Sequence, residues 1–257
     1  MVFVAVNLTS TPPASGKTAP VDRPTPPAVV AAVTGIPVRE MDAVGVPASV
    51  TVPTADATEP PLVIGGHPGA IYIGGEFCPY CAAERWAIVV AFSKFGTFTG
   101  LDDTTSSPWD GTPYATVSFI HAHYTSSLVT FDPVEYMGND THGLDTRKVI
   151  ATLTPIESSA WATYSEKYSG GSEGFPFLDI GNRLLAIGPS YDPTVLAGLT
   201  QAQIARELSD PASPVTRAIV GSADYLTAGI CSLTDLRPAP VCSAAAVTAA
   251  ARVLGLR

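Results

Sequence analysis

The sequence predicts an α/β fold: a buried strand running into a helix, a second strand, a further helix, an antiparallel hairpin and closing helices. Three observations carry this reading. The run "AIYIGGEF" (70–77) is short, apolar and rich in β-branched and aromatic residues, as a central strand requires. "CAAERWAIVVAFSKF" (81–95) follows directly and is apolar on most faces, as a buried helix is. Two short apolar runs, "GFPFLDI" (174–180) and "RLLAIGP" (183–189), flank Gly181-Asn182, which suits a tight hairpin turn.

Composition bounds the rest. A chain of 257 residues holds one large domain, or one domain with an appendage, and 46% hydrophobic content is ample for its core. A formal charge of −9 excludes a nucleic-acid partner, because nothing would neutralise the phosphates. With 22 Gly, 24 Pro and only 14% charged residues, much of the chain reads as turns and extended arms. No run of roughly 18 apolar residues is present to span a membrane.

The elements follow in order. "MVFVAV" is too short for a signal-peptide core and lacks a basic flank. It reads as a first strand or as the tail of a membrane anchor, the second favoured by the linker-like "TSTPPASGKTAPVDRPTPP" behind it. Residues 10–27 read as an extended arm, and 27–45 carry near-helical apolar spacing broken by Gly35 and Pro37. The expected organisation is therefore an N-terminal arm with one short helix (1–61), a main domain (62–212) and a C-terminal helical hairpin packed on it (213–257). Pro79 sits where a first helical turn tolerates proline, and Gly96 and Gly100 end the helix behind it.

"YATVSFIHAHY" (114–124) reads as the second strand and "SSLVTFDPVEYM" (126–137) as a third strand or hairpin partner. Thr154-Pro155-Ile156-Glu157 is a capping box, with Ile156, Ala160, Trp161, Tyr164 and Tyr168 forming an apolar stripe behind it. Thr200 to Gln203 opens another helix, which Asp210-Pro211 stops. Pro214 starts the next, with Val215, Ala218, Ile219, Ser222, Leu226 and Ile230 on one side. A last Ala-rich helix runs from about Ser243 to Leu254.

Chemistry concentrates in "GGEFCPYCAAERW" (74–86). A cysteine at a helix start faces unpaired backbone N–H groups and the positive end of the helix dipole, and both favour its thiolate. Cys78 therefore takes the attacking role, and Cys81, one turn inside, resolves the mixed disulfide. Two other readings stand beside this one. The pair is half of a zinc site, with His121 and His123 as nitrogen donors, or it is two unreactive core cysteines. The redox reading is favoured: Cys231 and Cys242 lack the spacing of a second metal-binding pair, and a proline between cysteines at a helix start would otherwise be idle. No metal and no cofactor are expected. Cys231 and Cys242 read as a structural disulfide stapling the C-terminal hairpin, with a second redox centre as the alternative.

Strand–"FCPYC"–helix resembles the thioredoxin superfamily, and Pro79-Tyr80 is the dipeptide of many glutaredoxins. The wider "GGEFCPYCAAERWAIVVAFSKFGTFTGL", "GFPFLDIGNRLLAIGPSYDPTVLAGLT" and "ICSLTDLRPAPVC" are similar to a thioredoxin-like family of extracytoplasmic proteins whose domain has no assigned function. The resemblance covers most of the chain beyond residue 27. It implies a thioredoxin-like fold with a cis-proline opposite the dithiol, here Phe175-Pro176, with Phe175 lining the substrate groove. It also implies an insertion between the dithiol helix and that proline, as in DsbA-like proteins, placed at roughly 101–113 and 125–153. One departure is plain: the position at which many thioredoxins bury an acid is Tyr72 here, which leaves Glu76 and Glu84 as nearby carboxylates able to move protons. The activity expected from the dithiol, the paired cysteines and the anchor-like start is that of an extracytoplasmic, membrane-anchored thiol–disulfide oxidoreductase. It would oxidise or isomerise exported cysteine-containing proteins, or work with a membrane redox partner. The alternatives are a reductase or peroxidase partner using the same site, and a non-catalytic binding protein on the same frame.

Overall fold

The structure, a computed structural model, describes residues 23–139 and 147–256. The expected anchor and the first part of the linker lie outside these residues. The described chain is a mixed α/β fold with a mixed sheet and eight helices. In order, the elements are α1 (Pro27–Thr34), α2 (Val38–Val44), β1 (Thr54–Ala55), β2 (Val63–Ile64), β3 (His67–Gly75) and α3 (Pro79–Phe92). Next come β4 (Thr97–Thr99), β5 (Asp102–Thr105), β6 (Ala115–Ser118), β7 (His123–Thr125), β8 (Thr130–Met137) and α4 (Pro155–Ser169). The chain closes with β9 (Phe177–Ile180), β10 (Leu184–Ile187), α5 (Gln201–Glu207), α6 (Pro214–Leu233), α7 (Ala239–Cys242) and α8 (Ala245–Leu254).

β3 is the centre of the main sheet. β8 runs parallel to it on one side; on the other β9 runs antiparallel to β3, and β10, antiparallel to β9, follows beyond it. β2 pairs with the start of β3, and β1 covers β10 only at Leu184 and Leu185. Strand alternation then sorts the side chains. Ala70, Tyr72, Leu178, Ile180, Leu184 and Ala186 face the layer of α3 and α6, whereas Ile71, Ile73, Phe177 and Leu185 face Trp161 and Tyr164 of α4. α3 is the core element: every residue from Cys81 to Phe92 is buried. β6 closes its flank, with the Thr116 hydroxyl donating to Ala82 O (2.7 Å) and the Trp86 indole N–H to Ala115 O (3.1 Å).

Several expectations are corrected. The parallel neighbour of β3 is β8, inside the stretch 125–153 that was expected to be inserted, and not the run 114–124. That run breaks into β6 and β7, which pair with β5 and β4 in two separate two-stranded sheets. β8 is an outer strand and so tolerates Pro133. The N-terminal arm carries two helices: Gly35 caps α1, and Pro37, unable to continue it, starts α2. Both pack into the common core through Val29, Val33, Ile36 and Met41. The stripe on α4 is narrower than its spacing suggests, since Ile156 and Tyr168 are exposed and the Tyr168 hydroxyl donates to Asp56 instead (2.6 Å). The last helix is two pieces, α7 and α8, so Cys242 closes α7 and does not open the long helix.

The capping box at Thr154 and Glu157 forms with Pro155 at the first position, and a second box joins Thr200 to Gln203. Gly181 (φ 71°) and Asn182 (φ 55°) make the hairpin turn with left-handed backbone, held by the Asn182 N–H donating to Asp179 Oδ1 (2.8 Å). Cys231 and Cys242 form a disulfide across Cα atoms 5.6 Å apart, tying the end of α6 to α7. For a separation of 11 residues, loop-closure entropy puts its contribution at about 3 kcal/mol. On α6, Asp224 is fully buried and neither carboxyl oxygen has a hydrogen-bond partner among the described residues.

Candidate active site

β3 delivers the dithiol. Its last residues, Gly74 and Gly75, span a shift of register against β8, and the chain then turns into α3. Gly74 is required by close approach: a Cβ there would lie 2.0 Å from the Tyr72 hydroxyl, which folds back over it. Cys78 is the N-cap of α3, with extended backbone, and Pro79 is the first helical residue. The Cys78 sulfur accepts the Cys81 backbone N–H at 3.2 Å, satisfying one of the helix's unpaired donors.

Cys78 and Cys81 are free thiols, 4% and 0% exposed. Their environments split them. The hydrogen bond from the Cys81 thiol lowers Cys78 below the ordinary thiol range against the opposing effect of burial. The backbone N–H groups of Cys81 and Tyr80 and the charge of Arg85 add to that lowering. Burial, together with the bond it makes to Cys78, pushes Cys81 well up. On reduced protein with limiting iodoacetamide, label is therefore expected on Cys78 first. Peptide mapping that finds Cys81 modified first would reverse the two roles.

Around the mouth, Phe77, Cys78 and Cys81 form one apolar cluster with Met137 and Phe175 against it. The Phe175–Pro176 bond is cis, and Phe175 makes an edge contact with Phe77 (centroids 6.1 Å apart) while stacking on Trp161 (5.4 Å). The Ser107 N–H donates to Phe77 O (2.8 Å), so the turn at Pro108–Asp110 stands beside the dithiol. Arg147 lies 3.8 Å over the Phe77 ring and pairs with Asp110. Tyr80, between the cysteines, is 48% exposed.

Behind the dithiol lies a buried polar group. Arg85, with no exposed surface, donates to both Glu135 oxygens (2.7 Å each) and to Gly75 O (3.0 Å), and lies 3.2 Å from Glu76. Burial pushes Glu135 up to about 7 even with the Arg85 charge beside it, and Glu76 adds to the rise. Tyr72, in the field of Arg85 and both thiols, is held protonated by burial, and its hydroxyl has no hydrogen-bond partner among the described residues.

The sequence-predicted residues thus divide. Cys78, Pro79, Tyr80, Cys81, Phe175 and Pro176 come together at the mouth, and Glu76 stands behind it through Arg85. Glu84 does not belong. Its side chain turns the other way, accepting the Ser190 N–H and hydroxyl at 2.8 Å each, and burial raises it to about 7. Nor does it pair with Arg85, because adjacent helical residues point about 100° apart. Cys231 and Cys242 are spent in their own disulfide. The two histidines do not form one strand face: His121 sits in a turn bonded to Asp102 (2.6 Å) and His123 lies on β7. Arg85 and Glu135 are the functional candidates that the sequence reading missed. The signal for Glu135 was its place two pleats beyond Phe131 on the same face of β8, which packs Phe131 against Phe92 of α3.

Residues 56–232 match the family described as Domain of unknown function (DUF929), and the chain belongs to that family. The match includes the dithiol, Glu135 and Pro176 but stops short of Cys242. No curated protein and no solved structure matches the chain.

Proposed function

We propose that this member of a family without assigned activity is a thiol–disulfide oxidoreductase that introduces or reshuffles disulfides in exported proteins. The observation that carries the reading is the split pair: a lowered thiol at the N-cap of α3 and a raised, fully buried partner one turn inside. The order β8–β3–β9–β10, with β8 parallel to β3, β9 antiparallel to β3 and β10 antiparallel to β9, supports a thioredoxin-like frame. So does the cis-proline loop packed on the dithiol. The Cys231–Cys242 disulfide suits an oxidising compartment, and so supports an extracytoplasmic site of action.

The chemistry balances as two exchanges. A substrate thiolate attacks Cys78 of the Cys78–Cys81 disulfide, and Cys81 leaves as thiolate. A second substrate thiolate then attacks the substrate sulfur of the mixed disulfide and releases Cys78. The substrate loses two electrons and the enzyme dithiol gains them. Cys81, a poor leaving group at its raised pKa, takes a proton as it departs. Glu135, poised at about 7 within its field, is the group to supply that proton.

The oxidised protein is expected to restore activity to a reduced, denatured secreted ribonuclease faster than a glutathione control, with a potential well above thioredoxin's roughly −270 mV. A potential at or below that value, with no reactivation, would assign the same residues to a reductase. A dithiol that does not exchange with glutathione would leave a binding protein.

A further inference from the structure

We propose that Arg85 is a positioning residue for the dithiol: its buried guanidinium stabilises the reduced pair and sets the couple toward oxidation, while Glu135 opposes it. The inference rests on the reading of Cys78 and Cys81 as an exchanging pair. Three features of geometry carry it.

Arg85 lies four residues beyond Cys81 on α3, which puts both side chains on one helix face. Its Nη2 and the Cys78 backbone N–H donate to the same atom, Gly75 O, at 3.0 and 3.1 Å, so the guanidinium is one acceptor away from the backbone of the attacking cysteine. It is fully buried and clamped by two carboxylates, one on β8 and one two residues before Cys78. A charge fixed in a dry interior acts on its neighbours far more strongly than one in water. Arg147, the other guanidinium near the mouth, is partly solvated and committed to Asp110.

The sign follows from linkage. A positive charge beside the pair favours thiolate and therefore the reduced form, which makes the disulfide the stronger oxidant. Once it has lost its proton, above about pH 7, Glu135 carries the opposite charge and acts in the opposite sense. Among the described residues Tyr72, Glu76 and Gly75 complete the surroundings, with Glu76 a second carboxylate and no second cation.

The test compares Glu135→Gln and Arg85→Met with wild type, by equilibrium with glutathione and by the pH midpoint of Cys78 alkylation. Glu135→Gln is expected to shift the glutathione equilibrium about tenfold toward reduced protein, about 30 mV more oxidising, and to lower the alkylation midpoint. Arg85→Met is expected to move both readouts the other way. A purely structural role would loosen the site in both variants and move them together, and that result would overturn the proposal. So would a Glu135→Gln variant indistinguishable from wild type. Arg85→Met leaves two buried carboxylates uncompensated; should it fail to fold, Glu135→Gln alone decides. If the wild-type dithiol does not exchange with glutathione, the oxidoreductase reading fails, and the alkylation midpoints still decide whether Arg85 acts on Cys78.

Discussion

Replacing Cys78 with serine is expected to reduce ribonuclease reactivation to the level of the glutathione control while leaving the fold intact. The sulfur of Cys78 has two separable roles. It accepts the Cys81 N–H at the head of α3, and on the proposed reading it forms the bond to substrate. Serine fulfils the first, being among the preferred N-caps, and cannot fulfil the second. The unfolding midpoint should therefore stay near wild type as activity disappears. Cys81→Ser separates the steps further: given a substrate that carries a disulfide, the Cys78 thiolate attacks one sulfur and releases the other as a thiolate, and without Cys81 to resolve it the mixed disulfide should accumulate as a reducible adduct. Residual oxidase activity in Cys78→Ser would show that the chemistry lies elsewhere in the chain.

The second large effect concerns stability and lies far from the dithiol. Asp224 is held inside α6, where burial and the nearby Asp42 push its carboxyl up to about 9 against the pull of Lys94. An acid whose folded pKa exceeds its unfolded value, near 4, binds more protons when folded. Its contribution to stability is therefore present at low pH and is lost as pH rises from about 4 to about 9. One pKa unit is worth about 1.4 kcal/mol, so this group alone would cost about 5 kcal/mol between pH 4 and pH 8. Asp224→Asn removes the titration. Urea unfolding across pH 5 to 8.5 should show both proteins losing stability up to about pH 7, and above that the wild type still falling while the variant levels off. The remaining slope would come from Glu84, Glu135 and Asp179, each raised by burial to about 7, and from Asp132, raised to about 6. Equal slopes in the two proteins would contradict a buried, protonated Asp224.

What the sequence disclosed was local. The β3–α3 junction, the capping box at Thr154, the helix start at Thr200 and the Gly181-Asn182 turn depend on residues within a few positions of one another, and their chemistry is visible in a short window. The choice between 114–124 and 126–137 as neighbour of β3 was not visible, because both runs are strand-like and only distant pairing separates them. Glu135 was lost with that choice, since its stretch was read as inserted. In the sequence Arg85 stands beside Glu84 as its natural partner, whereas helix geometry turns the two side chains about 100° apart on α3. Tyr72 was noted only as the absence of an acid. The carboxylate at the dithiol comes instead from the adjacent strand, which no spacing rule within β3 reveals.

Both margins of the main sheet end in proline. Pro133 lies midway along the outer strand β8, and Pro53 immediately precedes the two residues of β1 that cover β10. An exposed strand edge is a template on which another chain can add, and proline denies it an N–H to share. A catalyst of disulfide formation works among unfolded chains with sticky, extended segments. Edges closed in this way would let such chains reach Cys78 without recruiting the sheet itself into aggregates.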